Sequence, residues 1–425
     1  MRQLLNRKVI SWAMYDWANS AYATAVLAGF FPLFFKSYWS SGASATQSTF
    51  QLGLANSGAG LAIAILAPVL GAIADAGGIR KRFLLVFTLL GVSMTAGLYF
   101  VGEGEAMTAL SLFVLGTIGF LGSMVFYDSL IVMVAEEKDF DMASAMGYSL
   151  GYLGGGVLFA GTVAMTLWPA AFGLTDKAAA VKLAFLCVAA WWLVFAIPVM
   201  LNVPERRPAS EKNYVAVVLS AFRQLRDTFT HIRRLHYVFL FLLAYWLYID
   251  GVDTIVVMAV DYGAALGFST ENLITALLIT QFIGFPAAIG FGLLGGRIGA
   301  KQAILIAIGV YILVTIWAYW MDTVAEFYAM AIVIGLVQGG VQSLSRSLYA
   351  RLIPADKSAE FFGFYNMIGK FAAILGPALV GVAGVMTGSS RLAILSISIL
   401  FIAGGTLLYR VNVEAGRSIA IETED

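Results

Sequence analysis

Six charged side chains, Asp16, Asp128, Asp250, Asp253, Arg346 and Lys370, lie well inside apolar runs of this 425-residue chain. A charge at the middle of a bilayer costs about 2.5–3.5 kcal/mol on insertion scales, so such residues mark solute or ion pathways, proton relays or buried pairs. Helical spacing sorts them, with their polar neighbours, into stripes. Tyr15, Asn19 and Tyr22 share one face, with Asp16 beside them. Trp246, Asp250 and Asp253 share a second, and Gln338, Gln342, Arg346 and Tyr349 a third. Asn366 and Lys370 stand one turn apart, just after Tyr365. Anionic, cationic and aromatic groups gathered around one aqueous cavity would suit a small zwitterion such as an amino acid. A carboxylate walled by apolar helices can also take up and release a proton, which makes Asp16 and Asp250 candidates for coupling.

Other chemistries find no support. The two histidines, His231 and His236, lie in one short basic segment, and Cys187 is the sole cysteine. A His/Cys metal site is therefore not expected, and neither is an intrachain disulfide. No Ser/His or His/Glu grouping occurs at membrane depth. We expect no enzyme, no cofactor and no metal. The net charge of +1 gives no sign of a nucleic-acid partner.

These residues must be positioned by membrane helices. The chain is 60% hydrophobic and 12% charged, where soluble domains run near one-quarter charged, and its mean hydropathy is +0.86. A span needs about 20 mostly apolar residues. Twelve segments qualify: 10–35, 50–74, 83–101, 107–134, 143–169, 181–201, 236–262, 271–295, 302–320, 324–350, 358–387 and 391–410. The first resembles a signal peptide, but Asp16 and Asn19 interrupt it and the apolar run continues to Phe35, so it reads as a retained span. The fold class expected is an all-α membrane protein of 12 transmembrane helices. The gap at 202–235 divides it into six-helix halves, 1–201 and 236–410, followed by a tail, 411–425.

With the N-terminus cytoplasmic, 20 of the 26 Lys and Arg fall on inner segments and 4 on outer loops. The positive-inside rule then places both termini in the cytoplasm. In the gap, Val215, Val218, Leu219, Phe222, Leu225, Phe229 and Ile232 form an apolar helical stripe beside Arg223, Arg226, Arg233 and Arg234. That pattern fits an amphipathic helix on the inner leaflet; a solvated linker is the plainer reading. The tail is expected to be disordered.

At 1.5 Å per residue, Asp250 and Lys370 lie about 20 Å from their cytoplasmic ends and Asp16 about 10 Å. Asp250 and Lys370 are thus candidates for the substrate site, or else a structural ion pair. Asp253 would sit near the outer edge, with Asp16 and Asn19 on the cytoplasmic approach. Asp16 could equally only brace a neighbouring helix. The glycines of span five (Gly147, Gly151, Gly154, Gly155 and Gly156) suit close helix packing, and Gly376-Pro377 a kink.

The halves repeat. Gly71, Gly78 and Arg80 match Gly292, Gly299 and Lys301 at a constant offset, and YDSL at 127–130 aligns more loosely with SRSL at 345–348. Duplicated halves with a site between them are usual in secondary transporters.

The hairpin Gly71-x-x-x-Asp75-x-x-Gly78-x-Arg80-Lys81-Arg82 resembles the signature loop of the major facilitator superfamily, departing from it at Ala76 and Ile79. YDWANSAY at 15–22, YIDGVDTI at 248–255 and EFFGFYNMIGKFAAILGP at 360–377 resemble its vacuolar-effluxer-like branch, named for a fungal autophagy-related amino-acid effluxer. The buried span-four arginine and span-five Gly-Pro pair of drug antiporters are missing, which points away from drug efflux. The resemblance implies a secondary transporter of the bacterial inner membrane, expected to export a small solute by alternating access, as a monomer among lipids; the buried carboxylates allow proton coupling, which a uniporter would not need. It also implies that Asp75, Arg80 and Asp128 latch the cytoplasmic side; Arg346, matched to Asp128 by the repeat, is expected to serve the same gate from the other half. A lipid scramblase on the same fold is the alternative.

Overall fold

A computed structural model of the chain describes residues 6–42, 44–205, 223 and 235–424. The segment 202–235, expected to hold the amphipathic helix, lies almost entirely outside the described residues. Helix α1 runs Arg7–Trp39, its start capped by the Asn6 side chain, which accepts from the N–H groups of Lys8 and Val9. It passes Pro32 without ending, through wide π-helical turns at Tyr22–Phe30 and Phe35–Trp39. The N-terminal half continues with α2 (Ala45–Gly77), α3 (Arg80–Gly97), α4 (Ala106–Ser129), α5 (Phe140–Leu167) and α6 (Lys177–Asn202). The C-terminal half holds α7 (His236–Ala265), α8 (Thr270–Ile298), α9 (Ala300–Ala318), α10 (Val324–Leu352) and α11 (Ser358–Thr387). It closes with α12 (Ser398–Arg410) and a short α13 (Val413–Glu424). By length and composition, 11 helices among the described residues are apolar enough to cross a membrane. In α11, a helix of 30 residues, Leu375–Thr387 is a shorter apolar stretch.

The repeat is visible in the packing. Helix α2 lies along α11, and its repeat mate α8 lies along α5, the mate of α11; α4 on α11 and α10 on α5 form a second such pair. The matched glycines explain themselves. Gly78 and Gly299 turn the two corresponding hairpins with φ of 59° and 93°, a region that a Cβ disfavours. Gly71 and Gly363 let α2 and α11 touch backbone to backbone. A Cβ on Gly71 would fall inside the Ala359 carbonyl, and one on Gly363 would lie 2.7 Å from the Ala67 carbonyl oxygen. Gly71→Val is therefore expected to spread this seam. A cysteine placed on the α11 face of the seam should then become accessible to a water-soluble maleimide; equal labelling with and without the substitution would count against the contact.

The tail is a correction to the sequence reading. It is helical over Val413–Glu424 because Gly416 and Ala420 set a small-residue face against the bundle, with Gly416 packed on Leu352 and Tyr237. Its Arg417 reaches the other half and pairs with Glu137 at 2.6 Å. The pair is solvent-exposed, so Arg417→Ala is expected to cost under about 1 kcal/mol in thermal unfolding.

Candidate functional site: charges between the halves

At the end of the bundle that carries both termini, the halves are tied by ion pairs and hydrogen bonds. Asp75 on α2 accepts from Arg80 Nε at 2.6 Å and from the backbone N–H groups of Ala359 (3.2 Å) and Glu360 (2.8 Å) at the start of α11. Arg80 in turn donates to the carbonyls of Ala355 and Asp356. On the repeat-related side, Arg351 pairs with Asp141 at 2.6 Å, and Ser347 donates to the same carboxylate.

Deeper lies the densest group. Arg346 on α10, fully buried, sends Nη1 to Asp128 Oδ1 at 3.0 Å and both Nη atoms to Asp16 Oδ2 at 3.3 Å. It also donates to the Ser144 hydroxyl and carbonyl, and its plane lies against Trp12, Tyr127 and Tyr148 with centroids 4.7, 5.3 and 4.4 Å away. Tyr127 donates to Asp16, and Asn366 on α11 donates to Asp128. An isolated charge in such a place would cost several kcal/mol; here each charge has opposite charges and extra donors. Gly147 makes the space: a Cβ there would stand 2.6 Å from Asp16 Oδ2. Gly151, Gly154 and Gly155 do the same work against α1, at Ser20, Trp17 and Thr24, while Gly156 faces Gln281 and Phe282 on α8.

Further along the helices, Tyr152 donates to Gln342 at 2.8 Å and Gln281 to Thr24 at 2.9 Å. Among the described residues, the hydrogen bonds between halves reach outward no further than this Thr24–Gln281 pair. Asp253 on α7 lies within electrostatic reach of Tyr148 and Tyr152 of the opposite half. Trp246 keeps its indole N–H, and Gln338 its amide oxygen, buried with no partner among the described residues.

Several sequence expectations look different in this setting. Asp250 does not stand open to a cavity. It is fully buried and accepts from the backbone N–H groups of Leu375 (3.0 Å) and Gly376 (2.9 Å) and from the Thr254 hydroxyl. The two backbone donors belong to α11 just before Pro377, where that helix comes so close to α7 that a Cβ on Gly376 would overlap Thr254. The Lys370 side chain is outside the described residues. Tyr15, Asn19 and Tyr22 turn into the N-terminal half, bonded to Thr88, Met124 and Thr117. Their stripe was read correctly as one face, but α3 and α4 cover it, which spacing within α1 does not report. Tyr365 stacks on Tyr245 at 4.2 Å. Asp16 belongs with Asp128 and Arg346, not with Asp250. Sequence reasoning passed over Trp12, Tyr127, Ser144, Tyr148 and Tyr152; the one available signal was Tyr148 and Tyr152, one helical turn apart on α5. A pocket of about 740 Å³ opens on the terminus-bearing end between Lys138, Asp141, Lys301 and Arg351. Asp141 and Arg351 in its wall are already paired with each other, and it lies away from the mid-helix polar groups.

Comparison with known proteins agrees with this architecture. The family model described as "Vacuole effluxer Atg22 like" matches residues 54–143 and 135–420. A Bacillus subtilis (strain 168) protein described as the uncharacterized MFS-type transporter YxiO is 39% identical over 100% of this chain and 99% of its own length. Autophagy-related protein 22 of Yarrowia lipolytica is 27% identical over 65% of this chain and 51% of its own, so the chain spans about half of that fungal relative. Among solved structures, the human organic anion transporter MFSD10 superposes with a TM-score of 0.69 at 16% identity, over 95% of this chain and 99% of that one, a likeness of fold. A twofold-repeated helical bundle whose halves meet in a buried charge cluster, matched along nearly its whole length, belongs to the vacuole effluxer Atg22-like family of MFS-type transporters.

Proposed function

We propose that the chain is a secondary transporter that moves a small solute, an amino acid or another small zwitterion, outward across the cytoplasmic membrane by alternating access. The 12 spans, with both termini in the cytoplasm, make the terminus-bearing end the cytoplasmic one. The observation that carries the reading is one-sided closure. The polar ties between halves occupy that end and the middle, so the described state is closed toward the cytoplasm. Asp75, Arg80, Asp128 and Arg346 form the gate, because each contacts the opposite half or a residue that does. Asp253, Trp246, Gln342 and Tyr152 are the solute-site groups best supported by position, since they offer negative charge and aromatic surface between the halves; Lys370 is proposed with them from its place in the sequence. Asp16, in contact with Arg346 across the interface, is the stronger candidate for proton coupling; Asp250 is tied to the α11 backbone. The protein works as a monomer within lipid.

The test is efflux from proteoliposomes loaded with a mixed metabolite pool, under an imposed pH gradient in either direction, with mass spectrometry of what leaves. Selective loss of amino acids, faster with protons available on the outside, is the expected result. Movement of a fluorescent lipid in the absence of any solute loss would replace this reading with lipid scrambling.

A further inference from the structure

The Arg346 guanidinium is the C-terminal half's intrusion into a pocket built by the N-terminal half. Trp12 and Asp16 come from α1, Tyr127 and Asp128 from α4, and Ser144 and Tyr148 from α5. Three aromatic faces within 6 Å of a cation, together with carboxylates, are the chemistry by which organic cations are recognised. Gly147 leaves the occupant's space clear, since a Cβ there would stand 2.9 Å from Arg346 Nη2.

We propose that this enclosure is a receptor for an ammonium or guanidinium head group, and that Arg346 is its built-in occupant while the cytoplasmic end is closed. The inference rests on the transporter reading above and names the part of the solute that it recognises. When the halves part at this end, Arg346 leaves with α10. Asn366, the other donor to Asp128 from the C-terminal half, leaves with α11. Two carboxylates then face the opened space without their cation, a costly arrangement. A solute cation entering from the cytoplasm restores the lost pairing and the aromatic contacts. Solute and Arg346 compete for one site, so solute binds only the open state and shifts the population toward it. The rings favour an organic cation over a small hydrated metal ion.

Two experiments on the full-length protein decide it. In the first, purified Arg346→Ala protein is melted in the presence of ethylguanidinium or methylammonium chloride, with sodium chloride at equal ionic strength as control. A saturable rise in Tm of about 2–4 °C is expected, smaller in the wild type, where the cation must displace Arg346, and lost again in Arg346→Ala/Asp128→Asn. A response equal to the wild type's, or one that survives loss of Asp128, overturns the receptor. In the second, wild-type proteoliposomes are loaded with L-amino acids and their N-acetyl derivatives, which lack the cation. The free amines are expected to leave at least about tenfold faster. Equal rates overturn the receptor and leave the transporter standing. If nothing leaves, the transport reading fails, and the melting experiment still judges the receptor. Should Arg346→Ala not fold, the efflux comparison decides alone.

Discussion

Replacing Arg346 by methionine is expected to destabilise the protein by about 3–5 kcal/mol, the cost of stripping one partner from a buried ionic group. The guanidinium contacts two carboxylates, at 3.0 and 3.3 Å, and none of the three side chains has more than a trace of exposure. Its removal leaves Asp16 and Asp128 facing each other's charge with only Tyr127 and Asn366 to support them. The sign of the compensation is the sharper test. Neutralising all three, as Asp16→Asn/Asp128→Asn/Arg346→Met, is expected to recover most of the lost stability, because a buried ion group exchanged whole for neutral side chains is close to neutral. Transport should stay at least about tenfold down in both, since the gate has lost its charge pairing. Thermal melting in detergent, read beside proteoliposome efflux, checks both halves of the statement. A loss below about 1 kcal/mol in the single variant would mean that water reaches the guanidinium, as at exposed pairs.

The second large effect separates two aspartates three residues apart. Asp250→Asn is expected to cost about 2–3 kcal/mol, because hydrogen bonds to a charged acceptor are worth about 1.5–3 kcal/mol each and the new amide group cannot accept from Leu375 and Gly376 together. Asp253→Asn is expected to reduce solute efflux at least about tenfold. Loss of efflux in Asp250→Asn without loss of stability would return Asp250 to the solute site. Unchanged efflux in Asp253→Asn would remove Asp253 from it. The contrast follows from position. Asp250 is wedged against the close approach of α7 and α11 at Gly376, whereas Asp253 is partly exposed one turn further out.

Much of the architecture could be read from the chain. Apolar length marks where helices cross, and the helical period marks which residues share a face, because both depend only on neighbours within a few turns. The matched glycines at 78 and 299 announced paired hairpins, and both adopt the positive φ that made glycine necessary there. The family membership was also legible, in the stretches at 15–22, 248–255 and 360–377.

What the sequence could not fix is which charge meets which. Asp16 and Arg346 are 330 residues apart and touch, while Tyr15 and Asn19, beside Asp16 on the same helix, are covered by α3 and α4. Depth along a helix placed Asp250 near the middle of the membrane, but its partner is the backbone of α11, and no pattern of side chains reports a backbone. By itself the sequence determined twelve apolar runs, a duplicated plan and a set of charges too costly to be left unpaired in lipid. Only the tertiary structure decided their pairing, because that depends on how helices from two halves cross, and a helix's own periodicity carries no information about its partner.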